Sequence, residues 1–82
     1  MKITQGNLRS FKTFYGDGTP SIIGFECIKT NHKVGVWKFY HENGNLAHIG
    51  HYKDGLEHGE HRSYYENGQL KMVFFHENNI RV

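Results

Sequence analysis

The chain has 82 residues, which favours one domain with a small core. A net charge of +2 with interspersed signs does not favour a nucleic-acid partner, and no apolar run approaches the roughly 18–20 residues of a membrane span. The single cysteine, Cys27, excludes an intramolecular disulfide, so we expect a reducing, cytoplasmic location.

Six segments in chain order are rich in aromatic or β-branched residues: 8–15, 21–29, 34–41, 46–53, 60–65 and 70–76. Between them lie hairpin signals, because asparagine, aspartate and glycine tolerate the positive φ of tight turns. The residues expected to form these turns are Gly18, Asn43, Gly44, Gly55, Asn67 and Gly68, and Gly6-Asn7 is a further candidate. No segment repeats every 3.6 residues, so essentially no helix is expected. The predicted fold is all-β, an antiparallel hairpin meander of six to eight strands in a single curved sheet.

The chain also repeats itself. A shift of 24 residues places 35–58 on 59–82, and it superimposes the triplet at 42–44 on the triplet at 66–68. A looser, degenerate copy covers 9–34. A fixed period of this length is typical of a repeat architecture, so we predict one domain, 1–82, of about three repeats.

The hairpin loops predict specific cross-strand pairs. Three-residue loops ending in left-handed glycine would pair Tyr40 with Leu46 and Trp37 with Ile49. One copy later the predicted pairs are Tyr64 with Leu70 and His61 with Val73. Trp37 and Tyr40 then point to opposite faces, so both faces of the sheet carry aromatic rings.

The repeat unit resembles the bacterial variant of the MORN repeat that is found in antitoxin proteins. The matching residues are Gly35, Trp37, Tyr40, Glu42-Asn43-Gly44, Leu46, Tyr52, Asp54-Gly55 and Gly59, with Tyr64, Glu66-Asn67-Gly68 and Leu70 in the next copy. The resemblance implies an array of β-hairpins with a binding role and no catalytic residues.

The chemically capable side chains have structural interpretations. The chain has seven histidines, and His48/His51 and His58/His61 are closely spaced, but residues i and i+3 of a strand point to opposite faces. His61 occupies the repeat position of Trp37, which indicates a histidine used as a flat ring. Cys27 is expected to be a buried, inert thiol. No catalytic residue, cofactor or metal is therefore predicted, with a di-histidine metal site as the minor alternative.

The expected function is binding and neutralising a partner protein, either as an antitoxin acting on a toxin or as a phage or mobile-element inhibitor of an enzyme. We expect exposed aromatic residues to carry the contact: Trp37, Phe39, Tyr65, Phe74 and Phe75. The strand around 73–76, with the tail 80–82, is expected to pair with the target or with a second copy as a homodimer, unless residues 1–4 cover it.

The alternative function is binding of single-stranded nucleic acid. Phe11-Lys12 and Trp37-Lys38-Phe39 interleave rings and bases, as single-strand binders do. Core rings alternating with solvated lysines would give the same pattern.

Overall fold

The computed structural model describes residues 8–77, 80 and 81, with Arg81 described by its main chain alone. Its strands are Leu8–Phe14 (β1), Pro20–Cys27 (β2), Lys33–Tyr40 (β3), Leu46–Lys53 (β4), Leu56–Glu57 (β5), Gly59–Tyr64 (β6), Leu70–Glu77 (β7) and Ile80–Arg81 (β8). The six predicted strands are present, and the described residues contain no helix. The all-β hairpin meander is confirmed, whereas the turn predicted at Gly6-Asn7 lies outside the described residues.

All eight strands belong to one antiparallel sheet. The order across the sheet is β1-β2-β3-β4-β6-β7-β8, and β5 pairs back on β4. The principal extents are 39, 34 and 15 Å, so the described chain forms a single layer. Both faces of such a layer are open to solvent, and burial has to come from side chains that lie flat along the sheet.

The three hairpin tips share one turn geometry. Gly18, Gly44 and Gly68 have φ values of 91°, 93° and 92°. Each donates its main-chain N–H to the carbonyl three residues earlier, at 2.9, 3.0 and 2.9 Å respectively. Positive φ is accessible to glycine without steric cost, so these residues close the tips as predicted.

The polar residue before each tip glycine has a different role from the one predicted. Asn43 does not adopt positive φ. Instead its Oδ1 accepts the main-chain N–H of Asn45 at 2.9 Å, and Asn67 does the same for Gln69 at 3.0 Å. Positive φ on two successive residues occurs at the return turn, where Asp54 has 52° and Gly55 has 86°, as a type I′ turn requires.

The register beyond the loops differs from the prediction. Tyr40 pairs with Leu46 as expected, but the register then shifts by one residue, so Trp37 pairs with Gly50. The predicted pairing of Trp37 with Ile49 is therefore wrong. The same shift beside Tyr64–Leu70 pairs His61 with Phe74 and makes the predicted His61–Val73 pair wrong. A slip of one residue exchanges the two faces of a strand, so these bulges decide which side chains meet.

The core of the sheet consists of rings lying on glycines. The buried residues in the described part of the chain are Gly24, Val34, Trp37, Gly50 and His61. A Cβ added to Gly24 would lie 2.1 Å from the Trp37 ring, and one added to Gly50 would lie 2.3 Å from the His61 ring. Glycine in a strand interior is thus explained by the close approach of a ring from the next strand.

Candidate binding surfaces

Trp37 is part of the core. Only 2% of the residue is exposed, and its Nε1 donates to the Phe25 carbonyl at 2.9 Å. The Phe11 ring lies 5.1 Å away, centroid to centroid. The expectation that Trp37 is an exposed anchor is wrong, because Gly24 on the neighbouring strand leaves room for the indole to lie flat on it.

His61 takes the same place one repeat later and is fully buried. Its Nε2 lies 3.1 Å from the His51 carbonyl, which can only accept, so Nε2 carries the proton. Nδ1 therefore accepts, and the His48 Nε2 at 3.2 Å donates to it. His48 Nδ1 then accepts the Ser63 hydroxyl at 3.0 Å, so two neutral imidazoles satisfy every hydrogen bond of this series.

Burial lowers the pKa of both His48 and His61, because the charged imidazolium loses its hydration. The two rings, lying together, further lower the pKa of His48. His76 extends the cluster, with its Nε2 3.2 Å from Glu57 Oε1. Among the described residues no three His, Cys, Asp or Glu side chains converge as ligands of a metal ion.

The other four predicted anchors do not share one surface. Phe39 is half-buried, and its ring lies 5.7 Å from the His48 ring. Phe74 stacks on His61 at 5.7 Å and 15°. Phe75 is exposed and points to the opposite face from Phe74, while Tyr65 is 51% exposed at the third hairpin tip.

The exposed apolar surface concentrates instead on the last hairpin. Large apolar residues there are at least two-fifths exposed: Tyr65, Leu70, Met72, Val73, Phe75 and Ile80, with Ile80 at 67%. We call these six residues the C-terminal patch. The sequence predicted Tyr65 and Phe75 as anchors and placed Val73 and Ile80 in the edge expected to pair, but it did not indicate Leu70 and Met72, although their position at the outer edge of the repeat array was a usable signal.

The pairing across the sheet separates two rows of residues that lie on opposite faces. Directly paired residues share a face, and the pairing places one row across the sheet: Lys12, Ile23, Lys38, Ile49, Arg62 and Val73. We call the face with this row the cation face and the face with Phe11, Trp37, His61 and Phe74 the ring face. Phe11 and Trp37 therefore lie on the opposite face from Lys12 and Lys38, whereas Lys33 lies on the ring face, with its Nζ 5.3 Å from the centroid of the Trp37 ring.

Cys27 is only half-buried, so the expectation of a buried thiol is wrong. It ends β2 and begins a turn in which its carbonyl accepts the N–H of Asn31 at 2.7 Å. Hydrogen bonds from the side chain and main chain of Thr30 lower the pKa of the Cys27 thiol. The nearby charge of Lys29 contributes to the lowered pKa, and the geometry of the turn accounts for these contacts.

Comparison with known proteins identifies the repeats. The sequence model of the family described as MORN repeat variant matches residues 33–54 and 57–78, more than half of the chain. These segments overlap the second and third predicted copies. The curated proteins and the solved structures gave no significant match. Within the described residues no helix has the length and apolar character to cross a membrane.

Proposed function

Because the chain belongs to the MORN repeat variant family, we propose that it is a non-enzymatic module whose function is to bind another protein. The observation that carries this proposal is the C-terminal patch. Six exposed apolar residues lie on the last hairpin and its edge, with Val73 and Phe75 on the cation face and Met72 on the ring face. Such a concentration of exposed apolar side chains is typical of interaction sites. Tyrosine and phenylalanine are also enriched at the centres of protein interfaces.

The partner in this proposal is an enzyme that the module neutralises. Antitoxins and phage or mobile-element inhibitors are both small binding proteins of this type, and the repeat unit resembles that of antitoxins. A module without chemistry of its own acts by covering a surface that the enzyme needs. The single cysteine supports a cytoplasmic location for this encounter.

The test is affinity capture from a lysate of the source cells with the full-length chain as bait. We expect one enzyme to be enriched by the wild-type chain and lost with Phe75→Lys. The matched control is Phe14→Lys, which alters another exposed phenylalanine, on the first hairpin. The captured enzyme, once purified, should lose its activity when one equivalent of the chain is added. Undiminished activity would refute the inhibitor role, and equal loss of capture with Phe14→Lys would refute the surface.

Binding of single-stranded nucleic acid is the alternative, and the row of Lys12, Lys38 and Arg62 on the cation face favours it. Arg62 is partly neutralised by an ion pair with Glu60. We expect no anisotropy change for a labelled oligonucleotide at physiological salt. Micromolar, salt-sensitive binding that is lost in Lys38→Ala would establish the alternative instead.

A further inference from the structure

Neighbouring hairpins are held together at their tips by side-chain donors. In the second hairpin His41 Nε2 lies 2.8 Å from the Tyr64 carbonyl. Asn43 Nδ2 and Asn45 Nδ2 lie 2.8 and 2.7 Å from the Glu66 carbonyl. Carbonyl oxygens only accept, so all three nitrogens donate to the main chain of the third hairpin. We call this set of three donors the clasp.

The first hairpin begins the same pattern. The Tyr15 hydroxyl, one repeat before His41, donates to the Tyr40 carbonyl. Tyrosine and histidine are therefore interchangeable at this position, because either one places a donor against the next hairpin.

The third hairpin carries three residues equivalent to those of the clasp, which we call the third clasp. The residues 24 positions after the second clasp are Tyr65, Asn67 and Gln69. Asn67 Oδ1 accepts the Gln69 N–H at 3.0 Å, as Asn43 does for Asn45, so its amide group is oriented in the same way. Among the described residues no acceptor lies within hydrogen-bond distance of the Tyr65 hydroxyl or of the two side-chain amide nitrogens.

The outer edge of β7, beside the third clasp, has the same strand pairing as β4 has inside the array. β8 pairs with β7 at the positions where β5 pairs with β4, since Glu77↔Ile80 lies 24 residues after Lys53↔Leu56. Next to β5, strand β4 binds β6 through Ile49↔Arg62. The equivalent of Ile49 on β7 is Val73, an exposed residue of the C-terminal patch. The third hairpin thus reproduces the surface that receives a strand within the array.

One residue limits which strand can bind there. In the internal interfaces the arriving strand brings a ring over Gly24 or Gly50, and the equivalent residue on β7 is Phe74. Phe74 already stacks on His61, so its side chain fills the space that an arriving ring would need. A strand with a large side chain opposite Phe74 does not fit, and this argues against a head-to-tail second copy, whose β1 would bring Phe11.

We propose that the outer edge of the third hairpin docks an extended β-strand of the partner protein, held by Tyr65, Asn67 and Gln69 and carrying a small residue opposite Phe74. Strand addition uses main-chain hydrogen bonds for affinity and side-chain fit for selectivity. Here Tyr65, Asn67 and Gln69 supply donors for the partner's carbonyls. Phe74 makes the site selective for a strand with a small side chain at the facing position. The inference rests on the proposed function, because it states how the partner is held.

Two synthetic peptides test this edge against the full-length chain. Both span residues 57–69, the segment whose Tyr64 and Glu66 carbonyls accept hydrogen bonds from the clasp of the second hairpin. One keeps His61 and the other carries His61→Gly. We expect the glycine peptide to bind at least about tenfold more tightly, a difference of about 1.4 kcal/mol. Amide chemical shifts should change along β7 and not along β1. Equal affinity, no binding, or shifts confined to β1 would overturn the proposal.

Point variants of the chain test the clasp itself. Tyr65→Phe removes one hydroxyl and should weaken the glycine peptide about three- to tenfold, as the loss of one hydrogen bond does. Tyr40→Phe removes a hydroxyl away from the clasp and should leave the affinity unchanged. Equal effects of the two variants would overturn the assignment of the donors. If the wild-type chain is a dimer that dissociates in Val73→Lys, the edge binds a second copy of the chain and not a strand of the partner protein.

These results are distinguishable from failure of the proposed function. If an enzyme is captured but neither Tyr65→Phe nor Val73→Lys affects it, the function stands and the edge inference falls. If the glycine peptide binds with the expected selectivity but no enzyme is captured, the edge accepts a strand and the proposed function falls.

Discussion

At the scale of single residues, a glycine and a ring act as one unit in this sheet. Trp37 lies on Gly24 and His61 lies on Gly50, and these contacts bury two large rings in a sheet with only one layer. Glycine is unfavourable in a strand interior because it packs nothing and loses much entropy. Here the missing Cβ is what allows the ring to approach.

The first prediction concerns this contact. Gly24→Ala should lower the free energy of unfolding by about 1–3 kcal/mol, because the new methyl group overlaps the Trp37 ring and the indole must move. Gly16→Ala is the matched control, since a Cβ there meets nothing within 4 Å and its φ is not positive. Urea titrations of both variants measure the difference. Similar midpoints for the two variants would contradict the ring-on-glycine account.

The second prediction concerns pH. His48 and His61 have pKa values below their ordinary value of 6.5 in the folded chain, whereas the unfolded chain restores that value. Between the two values the unfolded state binds more protons, so lowering the pH favours unfolding. We expect the stability present at pH 7.5 to decrease towards pH 5.5. Thermal melts at several pH values measure this effect.

A variant series locates the effect. His61→Phe keeps a ring over Gly50 but cannot be protonated, so its stability should depend less on pH over the same range. His51→Gln changes an exposed histidine on the cation face and should retain the wild-type dependence. If His51→Gln removes the dependence and His61→Phe does not, the buried pair is not its source.

At the scale of elements, each hairpin is docked on the next by its tip as well as by its strands. β4 and β6 share only the register pairs His48↔Ser63 and Ile49↔Arg62. The clasp adds three hydrogen bonds at the hairpin tips, just beyond the His48↔Ser63 pair. The docking of one hairpin on the next therefore depends partly on polar tip residues, which the alternation of apolar and polar residues does not reveal.

The third prediction compares two repeat-equivalent hydroxyls. Tyr15→Phe removes the bond to the Tyr40 carbonyl in a partly buried site and should destabilise the chain by about 1 kcal/mol. Tyr65→Phe removes a hydroxyl without an acceptor among the described residues and should leave stability unchanged. Chemical denaturation measures both. A loss of stability in Tyr65→Phe equal to that in Tyr15→Phe would show that the third clasp is already engaged within the chain.

At the scale of the whole molecule, the described chain is an open array in which each repeat contacts only its neighbours. Stability in such arrays is approximately a sum of repeat and interface terms. β3 and β4 have neighbours on both sides, whereas β7 is bordered on its outer side, among the described residues, only by the two residues of β8. The proposed binding surface thus lies near one outer edge of the array, and β1 forms the other edge among the described residues.

The fourth prediction concerns the assembly state. We expect light scattering to give a monomer of about 9.6 kDa at micromolar concentration, because Phe74 disfavours the head-to-tail addition of a second copy. Val73→Lys serves as the comparison and should leave the mass unchanged. A wild-type dimer that this variant converts to monomer would instead support the homodimer expected from the edge strand.

The repeat, the hairpins and their tips could be predicted from the sequence, because they depend on local chemistry. Gly18, Gly44 and Gly68 close turns that few other residues can form, and their spacing determines the strand bounds. The alternation of apolar and polar residues between them determines that the chain is a sheet.

Which residues are buried was decided only by the tertiary structure. A bulge next to each tip shifts the register by one residue, so Trp37 meets Gly50 instead of Ile49 and becomes core. The same geometry separates Trp37 from Lys38 and leaves Val73 exposed on an outer strand. These outcomes depend on contacts between strands, which local sequence does not encode, because a slip of one residue is nearly neutral for each strand alone but exchanges its two faces.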